Sequence, residues 1–263
     1  MDKILKFYEG FDNNKFLNAD KLTECANRLM SEYCIEKGDF YYQIGEIEYY
    51  YYSPNHKDII TYPRHCFQGL WFFHSSGVDL TIQSSESGMN PSFGGILIRS
   101  IIKYNKDGKF IKAICGPQKS VYELFDYLNA VDNSIERTPM LKRHTFNEYR
   151  DVVSTPRYIP FTVEKKEIKN ECIGKDDYQD IIRIKAEVKL HKILEDNLKY
   201  KERSNDKINE EWLITLKDCN TIDSFLDYLK ANYRFYLKNI PWERGYNAVN
   251  IDNKENCYKF LFV

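Results

Sequence analysis

Between Phe40 and Cys115 the chain runs through five β-type segments parted by turn residues. Residues 40–52 are rich in Tyr and Ile. "GLWFFHSS", "VDLTIQSS" and "GGILIRSIIKY" follow, then "FIKAIC" behind the turn "NKDGK". Segments this short, rich in aromatic and β-branched residues and closed by Gly, Pro, Asn and Ser, form antiparallel strands rather than crossover units. A chain of 263 residues then has room for one large domain or two small ones. The 21 tyrosines and 16 phenylalanines suit a sheet that presents flat rings.

Helical spacing frames the β region. Asp20 caps a helix running to about Cys34, with Leu22, Ala26, Leu29, Met30 and Tyr33 as its apolar stripe. Ser120 and Glu123 form a capping box for a helix carrying Val121, Leu124, Phe125 and Leu128. Residues 132–160, with Pro139, Pro156 and Pro160, read as a long surface segment. Two further helices are expected over 183–203 and in "TIDSFLDYLKANY". The expected fold is α+β: a curved antiparallel β core, partly closed and barrel-like, with surrounding helices. The expected division is a core over 1–160 and an α-rich C-terminal extension over 161–263 packed on it.

Bulk charge and cysteine usage narrow the class. The net charge is −1, whereas a dedicated duplex-DNA binder usually carries a positive excess. Seven cysteines without a CxxC pair argue against a disulfide framework and a zinc module. No apolar run is long enough for a membrane helix, so the expectation is a cytoplasmic protein with no membrane, metal or cofactor. Oligomeric state is not legible.

Chemistry concentrates on "QIGEIEYYYYSPNH". Strand alternation puts Ile44, Glu46, Glu48, Tyr50 and Tyr52 on one face, and Gln43, Ile47, Tyr49 and Tyr51 on the other. Glu48 and Tyr50 thus point together near a strand end, a geometry for activating water beside a stacked flat group or for a plain solvent-facing glutamate. Arg99 is the lone charge in "GGILIRSI" and needs an anionic partner when buried, for which Glu46 and Glu48 are candidates. Asp79, Thr81 and Gln83 share one face of their strand. His74 and His144 are candidate acids or bases and Cys66 and Cys115 candidate nucleophiles, each weighed against a structural role. Arg137, Lys142, Arg143, His144, Arg150 and Arg157 form the most basic stretch, diluted by acids.

The order of these pieces resembles the alkyladenine (methylpurine) DNA glycosylase family. That family carries E-T-E-A-Y on a strand, a G-T-L-Y-V-Y strand, a Gly turn, a strand ending in Met-Asn, a Leu-Leu-Arg-Ala strand, then Gly-Pro before a helix. The matching pieces here run over roughly residues 21–131. The resemblance implies a DNA base-excision hydrolase of the N-glycosidic bond of a modified purine. Glu48 would activate water, with Arg99 beside it and the sugar phosphate. Tyr50 and Phe73 would stack on the base, Gln83 would read its edge, and His56 or His65 would fill the place of a pocket histidine. Ser76 stands where the family has an intercalating tyrosine, and Arg64 in a stretch that is Arg/Asn-rich there; both would face DNA. "NYRFYLKNIPW" at 232–242 echoes an Arg-Phe-Tyr stretch near that family's C-terminus. The alternatives are a silent binding module for nucleotide or nucleic acid, and a glycosidase on free or single-stranded nucleotides.

Overall fold

The computed structural model describes residues 19–61, 63–84, 92–126, 137–157, 190–192, 195, 227–228 and 231–240. It opens with helix α1 (Ala19–Glu32), whose Leu22, Ala26, Leu29 and Met30 are buried as the stripe predicts. Tyr33 has already left the helix. It begins β1 (Tyr33–Lys37), which turns through Gly38, at φ 57°, into β2 (Phe40–Ser53). The left-handed backbone there is why a glycine follows Lys37.

The remaining strands are β3 (His56–Lys57), β4 (Trp71–His74), β5 (Gly77–Ile82), β6 (Phe93–Asn105) and β7 (Phe110–Cys115). Helix α2 (Pro117–Leu124) follows, then β8 (Met140–Arg143), β9 (Val152–Thr155) and β10 (Arg234–Leu237). The ten strands of the described residues join one antiparallel sheet, curled into a half-barrel. Two long strands organise it. β2 and β6 pair along nearly their whole length. On its other side β2 takes β1, β10 and β3 in succession, while β6 takes β5 and β7.

The five β segments read from the sequence are all present, but three expectations change. Residues 132–160 do not form a plain surface segment, because β8 pairs with β1 and β9 with β10. β10 lies inside the stretch expected as an α-rich extension, yet it is paired to the middle of β2. The predicted helices over 183–203 and 221–233 fall largely outside the described residues. The capping box is also displaced: α2 starts at Pro117 after Gly116, which makes no side-chain cap, and the Ser120 hydroxyl donates inward to the Gly116 carbonyl at 3.1 Å. Proline at the first helical position needs no N–H partner, so it sets the start.

A bulge reassigns the faces of β2. Ile44 pairs with Ile101 and Glu46 with Ser100, leaving Gly45 unopposed; Ile47 then pairs with Ile98, skipping Arg99. A Cβ on Gly45 would lie 2.9 Å from the Ser100 Oγ, so the bulge is crowded on that side. The extra residue flips the phase. Ile44 therefore joins Ile47, Tyr49 and Tyr51 in the core against α1, instead of sharing a face with Glu46 and Glu48. Both halves of β2 keep an apolar face inward. Among the described residues no helix is long and apolar enough to cross a membrane.

Candidate functional site

The face of β2 away from that core is polar. Across the sheet one row reads Asp79 on β5, Leu97 on β6, Glu48 on β2, Arg234 on β10 and Thr155 on β9. The row two residues along β2 reads Thr81, Gly95 and Tyr50. Period-2 alternation thus places Glu46, Glu48, Tyr50 and Asp79 on one surface.

Arg99 joins them. Its Nε donates to Glu46 Oε1 at 2.9 Å and its Nη1 to Glu48 Oε2 at 3.0 Å. The Tyr50 hydroxyl donates to that same Glu48 oxygen at 2.9 Å. Arg234 Nε donates to Glu46 Oε1 at 2.5 Å. Burial, and next the Glu48 charge, push the Tyr50 phenol well above its ordinary range, so it stays a donor. Burial opposes the Arg99 charge, but the Glu48 and Glu46 carboxylates outweigh it and hold the guanidinium charged.

Two further pairs flank this chain of contacts. Arg157 grips Asp58 through two bonds of 2.6 and 3.0 Å, donates to the Tyr49 carbonyl at 3.0 Å, and lies over the rings of Tyr50 and Tyr233 at 4.8 and 5.0 Å. Arg64 donates to Asp79 Oδ2 at 2.5 Å and lies over the Phe72 ring at 4.5 Å. Glu46, Glu48, Asp58 and Asp79 are therefore matched by Arg64, Arg99, Arg157 and Arg234, and all but half-buried Arg99 are buried. Buried ions persist only when paired and hydrogen-bonded, and this match meets that demand.

The expected site residues divide. Glu48, Arg99 and Tyr50 come together on one face as the alternation requires. Phe73 does not join them. It pairs with Val78, faces the opposite side, is 49% exposed and meets Phe125 edge-on at 4.7 Å. Phe72, opposite Asp79, is the aromatic on the polar side. Gln83 closes a loop: its Oε1 accepts from the Gln68 N–H at 3.2 Å and its amide donates to the Ser84 carbonyl. His56 is buried between the Tyr51 carbonyl and the Tyr233 hydroxyl, both at 2.8 Å, and burial lowers its pKa. It borders the Arg157 cluster through Tyr233. His65 and Ser76 are exposed, Ser76 in the turn between β4 and β5. Arg64, expected to face DNA, is instead turned inward onto Asp79, because a buried carboxylate needs it there.

The other candidates resolve likewise. His74 bonds Asp79 Oδ1 through Nε2 at 3.0 Å and accepts the Ser76 N–H at Nδ1, so both ring nitrogens are engaged. The Cys66 thiol is pushed up by burial and Cys115 is buried, so neither has the environment of a nucleophile. The basic stretch is dispersed: Lys142 pairs with Glu36, Arg143 with Glu32, Arg150 with Glu148, and Arg157 is buried. His144 packs on Tyr41 and lines an open cleft of about 710 Å³ with Ser31, Glu32, Arg143 and Thr145, at the β8 edge of the sheet. Among the described residues no group of three or more His, Cys, Asp or Glu is placed to hold a metal ion.

Sequence reasoning missed Asp58, Arg234 and Tyr233, and set Arg157 in a basic stretch rather than in a buried pair. A signal existed for Arg234: like Arg99 in "LIRSI", it is a single charge beside apolar and aromatic residues, in "YRFYL". Comparison of the chain with protein-family models, curated proteins and solved structures gives no match.

Proposed function

We propose that the protein hydrolyses the N-glycosidic bond of a modified purine in DNA, with Glu48 as the group that activates water. One observation carries this reading: Arg99 is forked between Glu46 and Glu48 while the Tyr50 hydroxyl holds the same Glu48 oxygen. A carboxylate aimed by two donors beside an aromatic ring suits a reaction that builds oxocarbenium character on a sugar. Base extrusion supplies the approach, since a base in the stack is out of reach. The order of β segments shared with the alkyladenine DNA glycosylases supports the same substrate class. Phe72 replaces Phe73 in this reading as the second aromatic on the Glu48 side.

A second reading draws on a different observation. Glu48 has no solvent exposure, and the Arg157 guanidinium lies over the Tyr50 ring. Both favour a catalytically silent module that binds nucleotide or nucleic acid, with the charge array as scaffold. The deciding experiment incubates full-length protein with duplex and single-stranded oligonucleotides containing hypoxanthine or ethenoadenine. Base release by the wild type that is lost in Glu48→Gln supports hydrolysis. Binding without release supports the silent module. Neither release nor binding rejects both.

A further inference from the structure

We infer that Arg234 is a positioning residue for the Glu48 carboxylate, acting through Glu46 and Arg99; this rests on the hydrolytic reading of Glu48. Glu46 Oε1 accepts two bonds, 2.5 Å from Arg234 Nε and 2.9 Å from Arg99 Nε. Arg99 then reaches Glu48 Oε2 with Nη1 at 3.0 Å. The guanidinium is planar and rigid, so where its Nε is anchored decides where its Nη1 points. Glu46 is the anchor, and Arg234 fixes Glu46.

The ion pairs give the same answer. Arg99 bridges two buried carboxylates, Glu46 and Glu48. Arg234 takes up part of the demand of Glu46 and leaves the far nitrogen of Arg99 for Glu48. β10 brings this arginine from 188 residues away along the chain. Its backbone is held independently of that side chain. β10 pairs with β2 and β9, the Tyr49 N–H donates to the Tyr233 carbonyl at 2.7 Å, and the Lys238 N–H donates to the Asp151 carbonyl at 3.0 Å. A change at Arg234 therefore perturbs the charge chain more than the strand.

The test uses full-length Arg234→Met, Arg234→Lys and Glu46→Gln. In single-turnover base release, Arg234→Met and Glu46→Gln each lower the maximal rate about 10- to 100-fold, as small misplacement of a reacting group does. Oligonucleotide affinity stays within about 2-fold, because no substrate contact is removed. The double variant is no slower than either single, since both act on one chain of contacts. Arg234→Lys regains part of the rate through its charge. A crystal structure of Arg234→Met shows Arg99 re-seated on Glu46 with its bond to Glu48 lost. An unchanged rate, or an unchanged Arg99–Glu48 bond in that crystal, overturns the inference. If the wild type releases no base, the hydrolytic reading fails, and the crystal structure alone decides whether Arg234 sets the position of Glu48. Should Arg234→Met fail to fold, the same rate and structure measurements on Glu46→Gln decide it.

Discussion

Arg157 and Asp58 meet through two hydrogen bonds, 2.6 and 3.0 Å long, with both side chains wholly buried. The pair ties Arg157, two residues past β9, to Asp58, the residue after β3, and the same guanidinium holds the Tyr49 carbonyl. Removing one member leaves an uncompensated buried charge. Asp58→Ala is therefore expected to lower stability by about 3–5 kcal/mol, and Arg157→Met by a similar amount. The double replacement Asp58→Leu with Arg157→Met is expected to lose clearly less than the sum of the two singles. Urea unfolding at pH 7 measures all three. Additive losses would contradict the pairing.

Two adjacent glycines on β6 answer to different neighbours. A Cβ on Gly94 would strike the Tyr50 carbonyl oxygen and lie 3.0 Å from the Tyr51 Cα, which are backbone atoms of β2. A Cβ on Gly95 would instead lie 2.6 Å from Asp79 Oδ2 and 2.8 Å from both Arg64 Nη1 and Asp79 Cβ, all side-chain atoms. Side chains yield more easily than a paired strand. Gly95→Ala is expected to cost about 1–3 kcal/mol, the range for overpacking, and Gly94→Ala more. Thermal melts of the two variants check the order; a larger loss in Gly95→Ala would count against this register.

Glu123 on α2 takes charge from two strands, Lys103 on β6 and Lys112 on β7. Burial pushes its carboxyl up, but hydrogen bonds from Lys103 at 2.7 Å and Lys112 at 2.8 Å outweigh that and hold it down at about 2. The ordinary value is 4.5. A carboxyl depressed on folding stabilises the protein above its unfolded value, and that contribution is lost as pH falls toward the folded value. The window is thus from pH 4.5 down to about 2. Allowing for solvent screening, about 1–2 kcal/mol is at stake. Glu123→Gln is expected to unfold at lower urea than wild type at pH 7, with the gap closing near pH 2.5. A constant gap across that range would refute the linkage.

What the sequence made legible follows from how each signal is carried. The long strands β2 and β6 could be read because 13 or 14 residues rich in aromatic and β-branched side chains, bounded by turn residues, are hard to mimic. β1, β8, β9 and β10 have 4 or 5 residues each, too few to show a period, and exist because a partner strand is waiting. β10 could not be seen as part of the core because its partner lies in β2, far back along the chain. The placement of Glu48, Tyr50 and Arg99 on one face was legible from alternation and from the rule that a buried arginine seeks an acid. That of Phe73 was not, since it turns on the register of a four-residue strand, and one step exchanges it for Phe72. The bulge at Gly45 has a local mark, a lone glycine inside a strand, but the phase it leaves on either side is set by pairing with β6. The counter-charges Arg157 and Arg234 looked like ordinary basic residues, because their acids, Asp58 and Glu46, are distant in sequence.

Tyr50 and Glu48 separate catalysis from stability most directly. The Tyr50 hydroxyl donates to Glu48 Oε2 at 2.9 Å, and its phenol is held above the ordinary range by burial and by that carboxylate. Tyr50→Phe keeps the ring under Arg157 and deletes one donor, so stability is expected to fall by about 1–2 kcal/mol. Under the proposed hydrolysis, base release is expected to slow about 10-fold, because one of the groups that aim the carboxylate is gone. Glu48→Gln removes the charge itself. Its base release is expected to drop by about 10²–10⁴-fold, far beyond what its fall in stability explains. Single-turnover rates at saturating protein, set beside urea unfolding of the same preparations, make the comparison. If Tyr50→Phe and Glu48→Gln slow base release equally, Glu48 serves only as an acceptor for its neighbours and the role of water activation belongs elsewhere.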